Sequence, residues 1–247
     1  MHHPDARHLL HLYGRKIAAA LLPLLVALPL AAQKFSGNGN YNFLDFNQKP
    51  YYFGITLGIN TSRFKPYRSS EFLTSDTIRV VESVSGPGFN LGIVTNLKIG
   101  EFFDFRFLPT LSFAERNINY NASQTVLPNQ RRIESVFVEM PFQMRYKSAP
   151  FHDMRLFVIG GVKYSFDVAS NSRSKQAETL VKIAPSDFSL EYGAGIQIFF
   201  PFFIFSPEFK VSHGLGNTLI YNPELEESNV LEKLLSRTFT IALHFEG

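Results

Sequence analysis

Cysteine and tryptophan are both absent from the 247 residues. Without cysteine there can be no disulfide framework, no thiolate nucleophile and no zinc site built on Cys ligands. Charged residues are scarce as well, at 18% where roughly 25% is usual for a soluble domain. Beyond residues 1–32 there is no apolar run of about 18 residues, which excludes a bundle of membrane-spanning helices. A surplus of positive charge suited to nucleic acid is also missing. The formal net charge is +3, and Arg7, Arg15 and Lys16 against Asp5 supply +2 of it, leaving +1 for the remainder. No nucleic-acid partner follows. What the chain does have is aromatic: 26 Phe and 10 Tyr.

Residues 1–32 divide into a basic segment ending at Arg15-Lys16, an apolar stretch from Ile17 to Leu30, and the small pair Ala31-Ala32. This is the plan of a secretory signal peptide, with cleavage expected after Ala32. As a helix the apolar stretch would be roughly 21 Å long, short for a bilayer span, and Pro23 and Pro29 interrupt it. The expected organisation is therefore a signal peptide over 1–32, a periplasmic N-terminal segment over 33–50 and one β domain over 51–247.

From Tyr52 onward the dominant period is two, the period of strands. Ile55, Leu57 and Ile59 alternate with Gly54, Thr56, Gly58 and Asn60. Phe89, Leu91, Ile93, Leu97 and Ile99 repeat the pattern, and Phe103, Phe105, Phe107, Leu111 and Phe113 continue it as a third run. A fourth spans about Ile133 to Tyr146. Four more follow: Met154 to Asp167, Phe188 to Phe200, Phe202 to Gly214 and Thr238 to Phe245. The runs are about 10 to 14 residues long, where a globular strand has about 5 or 6 and a tilted bilayer crossing needs about 9 to 11.

Two facing sheets of a soluble sandwich could also bury such strands, but the connections point elsewhere. Gly100-Glu101, Lys147 to Asp153 and Pro201 are short links. Lys65 to Pro87, Asn117 to Gln130, Val168 to Asp187 and Leu215 to Arg237 are long ones, in strict alternation. Short turns on one side and long loops on the other describe an eight-stranded antiparallel up-and-down transmembrane β-barrel of the bacterial outer membrane, with short turns in the periplasm. Opposite the apolar face, Asp104, Arg106, Glu139, Arg145, Lys163, Glu191, Glu208 and Lys210 project in mid-strand. Inside an eight-stranded barrel these four acids and four bases would form a structural lumen charge network, because the interior is only wide enough for side chains. Aromatics at Tyr51-Tyr52-Phe53, Phe102-Phe103, Phe199-Phe200 and Phe202-Phe203 lie beside the short turns and read as a girdle.

The phrases Tyr52–Asn60, Pro87–Gly92, Phe107–Phe113, Val138–Tyr146, Gly160–Tyr164, Glu191–Ile196 and Phe205–Lys210 together resemble the PorT-like outer-membrane barrels of Bacteroidota, components of the type IX secretion and gliding machinery. The resemblance implies a non-enzymatic protein required for export of cargo, with protein partners in the secretion apparatus and no catalytic residues to carry over. Two other readings stay open: a small outer-membrane channel, or an adhesin or envelope-structural barrel.

Catalytic and cofactor chemistry finds little support. Ser212, His213 and Glu208 suggest a hydrolase constellation, but strand alternation puts Ser212 and Glu208 on one face and His213 on the other. Gly86-Pro-Gly88 and Gly160-Gly161 lack the helix, Lys and Ser/Thr of a phosphate loop; Gly160-Gly161 reads as room for bulky neighbours inside the barrel. Asn222 to Leu235, with Glu224, Glu226, Glu227 and Glu232, is expected to form a solvated loop helix. No cofactor, metal or small-molecule substrate is expected; outer-membrane lipid is.

Overall fold

The computed structural model describes residues 42, 46, 48–69, 78–122, 129–168, 182–222 and 229–247. The strands are β1 (Tyr51–Arg68), β2 (Ile78–Ile99), β3 (Phe103–Phe107), β4 (Thr110–Ala122), β5 (Asn129–Lys147), β6 (Met154–Asp167), β7 (Lys182–Ile183), β8 (Ser186–Phe199), β9 (Ile204–Gly214), β10 (Leu219–Ile220) and β11 (Leu231–Glu246). Every pairing is antiparallel. Because β1 pairs with β2 on one side and β11 on the other, the sheet closes on itself and has no free edge.

Strands β3 and β4 are two halves of one stave, since both lie between β2 and β5. The break falls at Leu108-Pro109, where proline has no N–H to give the ladder. Pro109 still accepts from Ile93 N at 3.0 Å, and Leu108 N donates to Pro141 O at 3.2 Å, so the stave stays seated. Strands β7 and β10 pair only with each other, in the region of the long loops. The barrel proper therefore has the eight staves expected from the sequence.

Stepping between directly opposed residues from Phe53 leads through Thr95, Phe107, Phe142, Val162, Leu190, His213 and Arg237 to Arg63, ten positions further along β1. A stagger of that size with eight staves tilts the strands about 40° and leaves a bore that side chains fill. Alternation along each strand sorts the residues between this bore and the outer wall. In β6 the burial pattern switches at almost every position, with Arg155, Phe157, Ile159, Lys163 and Ser165 buried and Leu156, Val158, Val162, Tyr164 and Phe166 exposed. The exposed wall is thus apolar, and the buried lumen is largely polar with a few apolar side chains such as Phe157 and Ile159 among the charges.

Several boundaries differ from the sequence reading. β1 and β2 continue to Arg68 and from Ile78, and β4 and β5 continue to Ala122 and from Asn129, so much of the first two long connections is strand. Cross-strand pairing beyond the apolar band, such as Tyr67 with Lys233, supplies the hydrogen bonds that hydropathy does not signal. The expected loop helix over Asn222–Leu235 does not hold at its end, because Leu231 to Leu235 are already in β11; residues 223–228, with Glu224, Glu226 and Glu227, lie outside the described residues. The signal-peptide reading of 1–32 also falls outside them. Lys147 is the last residue of β5, not part of the turn, and β9 starts at Ile204 after a turn in which Phe202 is exposed.

Candidate functional site

Among the described residues, the buried charged side chains gather in the lumen and at its short-turn mouth. All eight charged residues singled out above point inward and are buried: Asp104 and Arg106 on β3, Glu139 and Arg145 on β5, Lys163 on β6, Glu191 on β8, and Glu208 and Lys210 on β9. They fall into two clusters. In the one nearer the short turns, Arg106 donates to Glu208 Oε2 and to Glu246 Oε1, each at 2.8 Å. Arg145 donates to Glu246 Oε1 at 3.1 Å and lies 3.9 Å from Asp104 Oδ2. Lys147 holds Asp104 Oδ1 at 2.6 Å, and His244 Nε2 stands 3.4 Å from Glu208 Oε2. Tyr52 joins this cluster through its hydroxyl, which donates to Asp104 at 3.3 Å.

The second cluster sits nearer the long loops. Lys163 Nζ donates to Glu139 Oε1 at 2.9 Å and lies 3.5 Å from Glu191 Oε1. Glu191 also accepts from Gln143 at 2.8 Å and Ser212 at 3.2 Å, with Lys210 at 3.9 Å. Beyond it the lumen is occupied by a neutral polar layer, in which Asn60 donates to Asn90 at 2.7 Å and to Ser112 at 3.2 Å. Arg116 follows, its guanidinium 5.0 Å from the Phe64 ring centre and 4.6 Å from that of Phe137.

Sequence reasoning missed Lys147, His244, Glu246 and Tyr52 as members. The signal was present: Phe245 faces out, so His244 and Glu246 must face in, and Lys147 extends the inward series Gln143, Arg145. The aromatic girdle also needs correction. Tyr51, Phe53, Phe103, Phe200 and Phe203 are on the wall, but Tyr52 and Phe199 point inward. Likewise Gly161 is packed against β5, where an added Cβ would fall 2.2 Å from Phe142 O, but Gly160 faces outward with nothing near it.

Tyr52 and Phe199 form with Ile204 an apolar pocket at the short-turn mouth, and Phe46 fills it. Its ring lies 6.2 Å from that of Phe199. Beside it Asn42 N donates to Asp153 Oδ1 at 2.7 Å, Asn42 Nδ2 to Phe199 O at 3.2 Å, and Lys98 Nζ to Phe46 O. Behind the plug remains a cavity of about 10 Å³ lined by Tyr52, Lys98, Lys147, Arg155 and Gln197, room for roughly one water.

The Ser212, Glu208 and His213 constellation is not assembled. Ser212 is bound to Glu191 and Glu208 to Arg106 in the lumen, whereas His213 is on the wall, 2.9 Å from the Tyr192 hydroxyl. Among the described residues no three His, Asp or Glu side chains are grouped to hold a metal ion.

Residues 31–219 match the model of the outer membrane protein beta-barrel domain family. The chain belongs to this family. It is an outer-membrane β-barrel, so the short turns face the periplasm and the long loops face outward. No curated protein matches the chain. Among solved structures, Ail, the attachment invasion locus protein of Yersinia pestis, is similar at 16% identity and a TM-score of 0.34, over 81% of this chain and 100% of that one. OprG of Pseudomonas aeruginosa is similar at 10% identity and a TM-score of 0.46, over 80% and 95%. The translocator domain of the autotransporter NalP from Neisseria meningitidis is similar at 8% identity and a TM-score of 0.34, over 93% and 97%.

Proposed function

We propose that this outer-membrane barrel neither conducts nor catalyses, and that it serves as an interaction component of a protein-secretion apparatus, the type IX system of Bacteroidota. The observation that carries the reading is the filled lumen. Fully buried Arg106 and Arg145 cross it to Glu208 and Glu246, and Phe46 closes the periplasmic mouth below them. A barrel with such a bore offers only its ends and its wall to other molecules. The secretion role rests on the resemblance of Val138–Tyr146, Phe107–Phe113 and the other phrases to the PorT-like barrels.

Protein partners dock mainly on the outer loops in this reading, including the stretches Tyr67 to Val80 and Pro223 to Lys233. The N-terminal segment acts as a cap over the periplasmic mouth, a role supported by the docking of Asn42 and Phe46. Small-molecule substrates and nucleic acid have no place in it. Planar-bilayer recording tests the closed lumen: silence is expected, and stable, sizeable conductance steps would favour a channel. Deletion of the gene tests the secretion role, with loss of cargo export expected. Unchanged export would point instead to an adhesin or envelope-structural barrel.

A further inference from the structure

The outward residues of β1 read Tyr51, Phe53, Ile55, Leu57, Ile59, then Thr61, Arg63 and Lys65. At the rise of a strand and a tilt of about 40°, Arg63 stands roughly 30 Å above Tyr51, and the apolar band of such a barrel is about 25 Å tall. Arg63 is therefore at the outer headgroup level. Directly opposite it on β11 is Arg237, and directly opposite Arg237 on β9 is His213. Two guanidiniums in register on neighbouring strands repel each other. They are nevertheless held together, since both lie over the Phe239 ring, Arg63 at 5.9 Å and Arg237 at 4.8 Å from its centre. Lys65 adds a third cation one outward position further along β1, over Tyr67 at 5.2 Å.

Among the described residues no carboxylate pairs with Arg63, Lys65 or Arg237, and the buried Nε of Arg237 has no hydrogen-bond partner. Lumen cations such as Arg106, Arg145, Lys147 and Lys163, by contrast, are matched by acids a few ångströms away. Hydrocarbon below and repulsion across make this stripe costly unless an anion at the membrane surface neutralises it.

We propose that Arg63, Arg237 and Lys65 form a lipid-facing site for the phosphate of a phosphorylated glycolipid in the outer leaflet. Guanidiniums suit it because each presents a fork of donors that matches phosphate oxygens. The aromatic rings of Phe239 and Tyr67 fix those donors at the depth where such phosphates lie. His213 and Tyr192, stacked at 5.6 Å, flank the stripe on the neighbouring staves.

Native mass spectrometry of the full-length barrel in detergent, with bis-phosphorylated lipid A or the same lipid after chemical dephosphorylation, tests this. The wild-type protein should retain the phosphorylated form and not the dephosphorylated one. The double variant Arg63→Gln, Arg237→Gln should retain it at least tenfold less, since it loses two charge-assisted donors and tenfold corresponds to losing about one. Millimolar inorganic phosphate should not displace the lipid. Equal retention by variant and wild type, or equal retention of the dephosphorylated lipid, would overturn the proposal, and displacement by inorganic phosphate would overturn its commitment to a lipid. Folding is checked by the heat-dependent gel shift of the intact barrel. If the double variant does not fold, Arg63→Gln with Lys65→Gln puts the same question.

Discussion

The two ion clusters of the lumen differ in what they connect. Near the periplasmic end, Arg106 on β3 reaches Glu208 on β9, and Arg145 on β5 reaches Glu246 on β11. In the ring order each of these pairs of staves lies on opposite sides of the barrel, so the contacts bolt it across its diameter. Nearer the loops, Lys163 on β6 pairs with Glu139 on β5 and Glu191 on β8, and Lys210 on β9 with Glu191. Those staves are neighbours already joined by backbone ladders. The chemistry follows the span. Arginine, long and with a fork of donors, bridges two carboxylates across the bore, whereas lysine, a point charge, serves adjacent strands. Buried charge is therefore expected to matter most where no backbone hydrogen bond duplicates the connection.

Breaking the periplasmic cluster should have the largest effect. Glu246→Ala leaves the facing guanidiniums of Arg106 and Arg145 without their shared carboxylate, and should cost about 3 to 5 kcal/mol in urea unfolding of the reconstituted barrel. A loss below about 1 kcal/mol would show that the cross-diameter contacts are not what stabilises this end. Arg106→Lys sharpens the point, because the charge stays but one ammonium cannot hold Glu208 and Glu246 as the fork does. About 2 to 3 kcal/mol is expected in the same measurement.

Glu139→Ala belongs to the other cluster and should cost less, about 1 to 2 kcal/mol, since Lys163 keeps Glu191 at 3.5 Å. Equal losses for Glu139→Ala and Glu246→Ala would abolish the distinction between the clusters. The smallest change is Ser212→Ala, which removes one neutral donor from a carboxylate that retains Gln143, Lys163 and Lys210; about 0.5 to 1.5 kcal/mol is expected. Thermal gel-shift midpoints should rank the four variants in this order.

The N-terminal segment marks the limit of what periodicity can reveal. Phe46 sits in no strand and belongs to no alternating pattern, so its aromatic character alone was legible. Its burial follows from the inward direction of Tyr52 and Phe199, which with Ile204 leave an apolar pocket at the mouth of the bore. Tyr52 and Phe199 were themselves misread as girdle residues because their neighbours Tyr51, Phe53 and Phe200 are aromatic too. Strict alternation would have separated them. The helix expected over Asn222–Leu235 failed at Leu231 for a related reason. Its leucines can face either side of a strand once β1 extends to Arg68 and offers Leu231 and Leu234 ladder partners.

By itself the sequence determined the eight staves of the barrel and, through parity along each one, which side chains can share a face, because a period of two is a local property of the backbone. It determined the charge of the lumen for the same reason, since an inward position is decided by parity with its neighbours. Which inward acid meets which base is not local. Arg106 reaches Glu208 and Glu246 across 102 and 140 residues of chain only because closing the barrel brings β3 opposite β9 and nearly opposite β11, and the stagger of ten positions sets them at one height. The tertiary structure alone could decide that, and with it the pairing of Arg63 with Arg237 on the wall, because both depend on how eight strands close into one ring.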